Sequence, residues 1–186
     1  MDPRKDRLLE LLLLHGLVVK DESTFALADG TMSHWYVDCT ALAAAPAAKA
    51  AVAALLYDLA KQVGARVLKA GGPAAQVFAN AAAEHSVNRS QPLQALAPES
   101  DGEVVGPCLI VQDVMATGMS TLAVVDQARA HGLEVRGVLA VVDREEGAAV
   151  RLEAHGIPVY ALVTGAELQA RRNAVARHAH ESAPKA

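Results

Sequence analysis

The chain has 186 residues, of which 52% are apolar, only 3% are aromatic, and the formal net charge is −4. This length suits one domain with a sizeable core, and the slight acidity excludes a general basic footprint for nucleic acid. Cys39 and Cys108 lack metal-ligand spacing and read as reduced, buried thiols of a cytoplasmic protein. The leucine run from Leu8 to Leu14, interrupted by Glu10, is too short for a signal peptide or a membrane span.

Asp2-Pro3 predicts a helix start, with proline in the first turn where its missing N–H costs nothing, and Gly16 stops that helix near His15. Short extended pieces are expected from Leu17 to Leu27, then a turn at Asp29-Gly30 and a strand over His34–Val37. Pro46 to Val63 reads as an alanine-rich helix and Arg66 to Ala70 as a strand. Gly71-Gly72-Pro73 reads as a loop leading into a helix to about His85. From Ser86 to Pro107 apolar periodicity disappears, and Pro92, Pro98, Gly102 and Pro107 predict a mobile loop or short hairpin. Leu109 to Val111 is a buried strand followed by a loop and a helix to about His131. Glu134 to Val142 is a strand, Gly147 to His155 a helix, Val159 to Val163 a last strand, and Gly165 to about His178 a final helix. Helices alternating with apolar strands predict an α/β fold with a mostly parallel central sheet flanked by helices.

In such sheets ligands sit beyond the carboxyl ends of the strands. Three polar clusters are expected there: Gly71-Gly72, Gln112-Asp113 with the loop after it, and Asp143-Arg144. The stretch Gln112-Asp-Val-Met-Ala-Thr-Gly-Met-Ser-Thr121 passes from strand through loop to helix start. Loop and helix-terminal N–H groups form an anion site, to which Thr117, Ser120 and Thr121 add hydroxyls. Asp113 repels a phosphate but accepts from sugar hydroxyls or holds Mg²⁺ through water. The plainer alternative is that Thr117 or Ser120 only caps a helix and Asp113 only closes a strand. Neither a Walker A lysine nor a GxGxxG fingerprint is present.

Asp113-Val-Met-Ala-Thr-Gly-Met-Ser120 resembles the phosphoribosyl pyrophosphate (PRPP) loop of type I phosphoribosyltransferases. Two further stretches are similar to motifs of the orotate phosphoribosyltransferases. Phe25-Ala-Leu-Ala-Asp-Gly-Thr-Met-Ser-His-Trp-Tyr-Val-Asp38 matches F-x-L-x-S-G-x-x-S-x-Y-Y-x-D, and Val142-Asp-Arg-Glu-Glu-Gly147 contains D-R-x-E-G. The resemblance implies a single domain over 1–186, with a small N-terminal hood (1–40), a core (41–165) and a C-terminal helix and tail (166–186). It implies transfer of 5-phosphoribosyl from PRPP to orotate, giving orotidine 5′-phosphate and pyrophosphate, with Mg²⁺ accompanying PRPP and a homodimer as the assembly.

The same likeness implies residue roles. Asp113 faces the ribose, and Ala116, Thr117, Gly118, Met119, Ser120 and Thr121 cradle the 5′-phosphate. Ser33, Trp35, Tyr36 and Arg144 meet the base, with Arg144 pairing its carboxylate; a structural Arg144–Glu pair and packed hood aromatics are the alternatives. Arg89, at the apparent start of the catalytic loop, is the one candidate cation there. Departures from the pattern are Ala28, Gln76, Ser90 and Leu93 at lysine positions and Gln112 at an acidic one, and no lysine occurs between Lys69 and Lys185. These departures leave open a weak enzyme, a non-catalytic PRPP- or nucleotide-binding regulatory homologue, or a subunit completed by an active partner chain. The roughly 20 residues before the first motif are too few for a DNA-binding winged helix.

Overall fold

The computed structural model describes residues 2–19, 25, 26, 32–97 and 104–181. The expected Asp29-Gly30 turn, Ala28, positions 98–103 and the tail beyond 181 lie outside them.

Asp2 caps α1 (Pro3–Leu11) by accepting from the Arg4 N–H at 2.9 Å. The helix widens into a π turn over Leu12–Gly16. Leu8, Leu9, Leu11 and Leu12 are buried, so the leucine run packs in the core; no helix among the described residues is long and apolar enough to cross a membrane. Two antiparallel ribbons follow. β1 (Leu17–Val19) pairs with β4 (Trp35–Val37), and β2 (Phe25–Ala26) pairs with β3 (Met32–Ser33). A short helix that periodicity did not reveal, α2 (Cys39–Ala44), starts where the Asp38 carboxylate accepts from the Ala41 N–H at 2.9 Å.

The core is α3 (Pro46–Gln62), β5 (Val67–Ala70), α4 (Pro73–Ser86), β6 (Gln94–Leu96), β7 (Gly106–Met115), α5 (Met119–Ala130), β8 (Leu133–Asp143), α6 (Ala148–Glu153), β9 (Val159–Thr164) and α7 (Gly165–Glu181). The five strands form one sheet in the order β6-β5-β7-β8-β9, with every neighbouring pair parallel. Strand alternation divides the core in two. Leu68, Ala70, Leu109, Val111 and Leu139 face Leu56 of α3 and Phe78 of α4. Val67, Cys108, Ile110, Val138 and Ala140 face Val125 and Ala128 of α5 and Leu152 of α6. Alanine is frequent on the inner sides of α3 and α4, where Ala48, Ala53, Ala60, Ala75, Ala79 and Ala82 are buried; small side chains let the helices pack closely on the sheet. This is the α/β architecture, a parallel central sheet flanked by helices, that the sequence predicted.

Two expectations change. Within the described part of the 86–107 interval, Gln94–Leu96 forms β6, an edge strand parallel to β5, registered Val67 to Gln94 and Lys69 to Leu96. Three residues are too few for periodicity to register. The strand expected to end at Val111 instead runs to Met115, because β8 continues to Asp143 and pairs with it across Val114–Val142 and Met115–Asp143. Gln112 and Asp113 are therefore strand residues with opposite orientations.

Candidate active site

The carboxyl ends of β5, β7 and β8 lie side by side, and their loops form the site. Ala70 registers with Val111, and Met115 with Asp143. All three expected polar clusters meet at this end of the sheet.

The anion cradle starts at Ala116. Its carbonyl accepts from the Ala148 N–H at 3.1 Å, tying the loop to the start of α6. Gly118 then takes φ +77, and a Cβ there would stand 3.1 Å from Ala148 Cα and 3.2 Å from Ala148 Cβ. Only glycine suits both the left-handed backbone and the close approach. The first bond of α5 runs from the Leu122 N–H to the Gly118 carbonyl at 3.1 Å, and no side chain caps the helix. The N–H groups of Met119, Ser120 and Thr121 thus precede that bond at the positive end of a 12-residue helix. Met119 and Ser120 are exposed, whereas Thr121 is buried.

Gln112 and Asp113 diverge from the strand. Gln112 is buried and lies across Gly71: a Cβ on Gly71 would fall 2.3 Å from its Nε2. That Nε2 has no hydrogen-bond partner among the described residues. Asp113 is half-buried on the opposite face. Burial, then the nearby Asp113 carboxylate, pushes the Cys39 thiol well above its ordinary range. Neither glutamine contact was legible in sequence; only the glycine at 71 hinted that something lies close.

At the end of β8, Asp143 is buried, which raises its carboxyl above the usual value while the Glu145 N–H donates to it at 2.9 Å. Arg144 turns towards the N-terminal ribbons. Its guanidinium carbon stands 4.3 Å from the Trp35 ring centroid. Nη1 donates to the Trp35 carbonyl at 3.1 Å and Nη2 to Ser33 Oγ at 3.0 Å. Nε donates to Glu146 Oε1 at 2.9 Å, and Nη2 lies 2.7 Å from the same oxygen. Ser33 Oγ in turn donates to the Trp35 carbonyl at 2.8 Å. Residues 33, 35 and 144, separated by more than 100 positions, thus form one cluster. Tyr36 alternates to the other face of β4, so it does not share the Trp35–Arg144 stack.

Arg89 is not at this site. It follows the last turn of α4, donates from Nε to the His85 carbonyl at 2.6 Å, and lies 5.6 Å from the Tyr57 ring centroid. Its neighbour Gln91 donates to the Ala65 carbonyl, before the start of β5. Arg89 therefore sits at the amino ends of the strands, opposite the cradle. The physical reason is β6: the chain reaches the carboxyl end of that strand only at Ala97, well past Arg89, and Ala97 to Val105 carries no cation.

Among the described residues no group of three His, Cys, Asp or Glu side chains is arranged to hold a metal ion. Asp113 accepts no hydrogen bond among them and is the one carboxylate of the loop motif. Such a donor set fits Mg²⁺ carried chiefly by ligand phosphates and touched through water.

No family model matches the sequence. The chain is 32% identical over 177 residues to the orotate phosphoribosyltransferase of Aquifex aeolicus, covering 88% of this chain and 97% of that protein. It is 31% identical over 175 residues to that of Pyrococcus horikoshii, covering 88% and 92%. The solved orotate phosphoribosyltransferase of Mycobacterium tuberculosis in complex with inorganic phosphate superposes with a TM-score of 0.74 at 27% identity, over 90% of this chain and 99% of that one. With the sheet order, the glycine-bent cradle and the Ser33–Trp35–Arg144 cluster in place, these matches establish that the chain belongs to the orotate phosphoribosyltransferase family.

Proposed function

We propose that this chain is an orotate phosphoribosyltransferase, transferring 5-phosphoribosyl from PRPP to orotate and releasing orotidine 5′-phosphate and pyrophosphate. Family membership over nearly the whole chain supports the activity. The observation that carries the base assignment is the buried Arg144 beside Trp35 and Ser33, because a guanidinium matches a carboxylate in shape and charge. The solved Mycobacterium tuberculosis enzyme in complex with PRPP, 28% identical with a TM-score of 0.72, shares this fold.

In this reading the N–H groups of residues 116–121, with the Thr117 and Ser120 hydroxyls, hold the 5′-phosphate. The α5 N-terminus adds its positive end. Asp113 accepts from ribose hydroxyls and steadies the positive charge that develops on the sugar as pyrophosphate departs. Asp113 would hold, through water, the Mg²⁺ that accompanies PRPP, and that ion would supply charge neutralisation for the leaving pyrophosphate. Trp35 lines the base site, and Arg144 orients the orotate carboxylate. The chain acts as a homodimer in the cytoplasm. The loop that closes over such sites lacks lysines here, and each missing transition-state donor is worth about 10²–10³ in rate, so turnover is slow.

The test is orotate consumption by purified protein with PRPP and Mg²⁺, read as loss of orotate absorbance at high enzyme concentration. Consumption abolished by Arg144→Ala supports the reading; none above background, with PRPP binding intact, refutes it.

A further inference from the structure

Arg144 has five N–H groups. Four are engaged: one by the Trp35 carbonyl, one by Ser33 Oγ, and the Nε and Nη2 pair by one oxygen of Glu146. The Nε–Nη2 edge is the edge that a carboxylate takes in bidentate fashion, and a carboxylate from the chain itself already sits on it. One N–H on Nη1 is left, which is insufficient for a second bidentate partner. The face of the guanidinium is covered by the Trp35 ring.

The three partners differ in how readily they release. Trp35 presents a backbone carbonyl, and Ser33 is fixed by its own bond to that carbonyl. Glu146 is attached by its side chain alone, and that side chain is 33% exposed against 4% for Arg144. Glu145, one residue earlier, accepts from the Ala166 N–H at the start of α7, and Gly147 follows with φ +98. Residue 145 is thus tied on both sides, its N–H to Asp143 and its carboxylate to α7, whereas the partly exposed Glu146 side chain borders solvent and is held only through Arg144.

We infer that Glu146 is a positioning residue that works by exchange: its carboxylate neutralises Arg144 when the base site is empty, and the carboxylate of the base displaces it on binding. This rests on the assignment of Arg144 to the base. A buried guanidinium without a counter-charge is unfavourable, so the empty site needs a placeholder, and the incoming base needs an equivalent charge to replace it. A neutral pyrimidine cannot displace Glu146, whereas an anionic one can. Glu146 therefore competes with an anionic base alone: it weakens binding of the base carboxylate and leaves the affinity of a neutral base, which does not displace it, unaltered.

The test uses the full chain and Glu146→Gln, with orotate and uracil titrated separately by calorimetry in the presence of Mg²⁺ and pyrophosphate, which cannot react. Loss of one partly exposed, charge-assisted contact from the competitor corresponds to about five- to tenfold tighter orotate binding, with a matching fall in orotate KM. Uracil affinity changes less than twofold. Orotate binding that is unchanged or weaker in Glu146→Gln, with wild-type binding intact, overturns the exchange and makes Glu146 a brace for Arg144. Equal tightening of orotate and uracil also overturns it, since the effect then has no charge selectivity. Absence of orotate binding in both proteins overturns the base assignment and the exchange together.

Discussion

Replacing Gly118 by alanine separates the cradle's backbone requirement from its packing requirement. The residue holds φ +77, which costs an L-residue with a Cβ about 1–2 kcal/mol. The new methyl would also meet Ala148 Cα at 3.1 Å and its carbonyl oxygen at 3.4 Å. Both are backbone atoms of the α6 start, so relief requires α5 and α6 to part by a few tenths of an ångström. Overpacking of this kind costs about 1–3 kcal/mol, so with the backbone cost the total is about 2–5 kcal/mol. Gly147→Ala provides the control: its φ is +98, yet nothing lies within 4 Å of the added Cβ, so it carries only the backbone cost of about 1–2 kcal/mol. Urea denaturation measures both variants, and calorimetry measures PRPP binding at temperatures where each is folded. Gly118→Ala is expected to be the less stable of the two and to bind PRPP at least about tenfold more weakly, since 1.4 kcal/mol of misplacement suffices. Equal stabilities, or PRPP affinity in Gly118→Ala equal to wild type, would refute the claim that the α5–α6 contact shapes the cradle.

Asp113→Asn should weaken PRPP binding several-fold without altering stability appreciably; unchanged affinity in calorimetry would remove Asp113 from the ribose site. Arg144→Ala should abolish orotate binding and leave ribose 5-phosphate binding intact, and equal loss of both would point to a folding defect, visible by circular dichroism. Phe78, fully buried between α4 and the sheet, should cost about 3–5 kcal/mol when cut to alanine, read as a lower urea midpoint. The Cys108 thiol is pushed up to about 12 by burial. Because its unfolded counterpart ionises near 9, its contribution to stability is complete below that pH and declines as pH rises from about 9 towards 12. Substitution by alanine should flatten the fall in urea midpoint over that window.

The loop motif was legible because its chemistry is local. Strand, turn, glycine and hydroxyls follow one another within a dozen residues, and the backbone alone creates the anion site. Helix starts at Pro3, Pro46 and Pro73 were legible for the same reason, since proline marks a first turn regardless of what packs around it. Arg89 was misplaced because the three-residue strand β6 carries no periodic pattern. Its position is determined by hydrogen bonds to β5, which no local reading of residues 86–107 contains.

From sequence alone, apolar periodicity and turn residues determined the alternating α/β order, the parallel sheet and the end of it where the three polar clusters gather. These depend on residues near one another in the chain. Only tertiary structure decided what meets there. It brought Ser33 and Trp35 from the N-terminal ribbons onto Arg144, seated Glu146 on the guanidinium edge, laid Gln112 across Gly71 and moved Arg89 to the far end of the strands. Each of those outcomes depends on strand register and on packing between distant segments, where a shift of one residue reverses which face a side chain occupies.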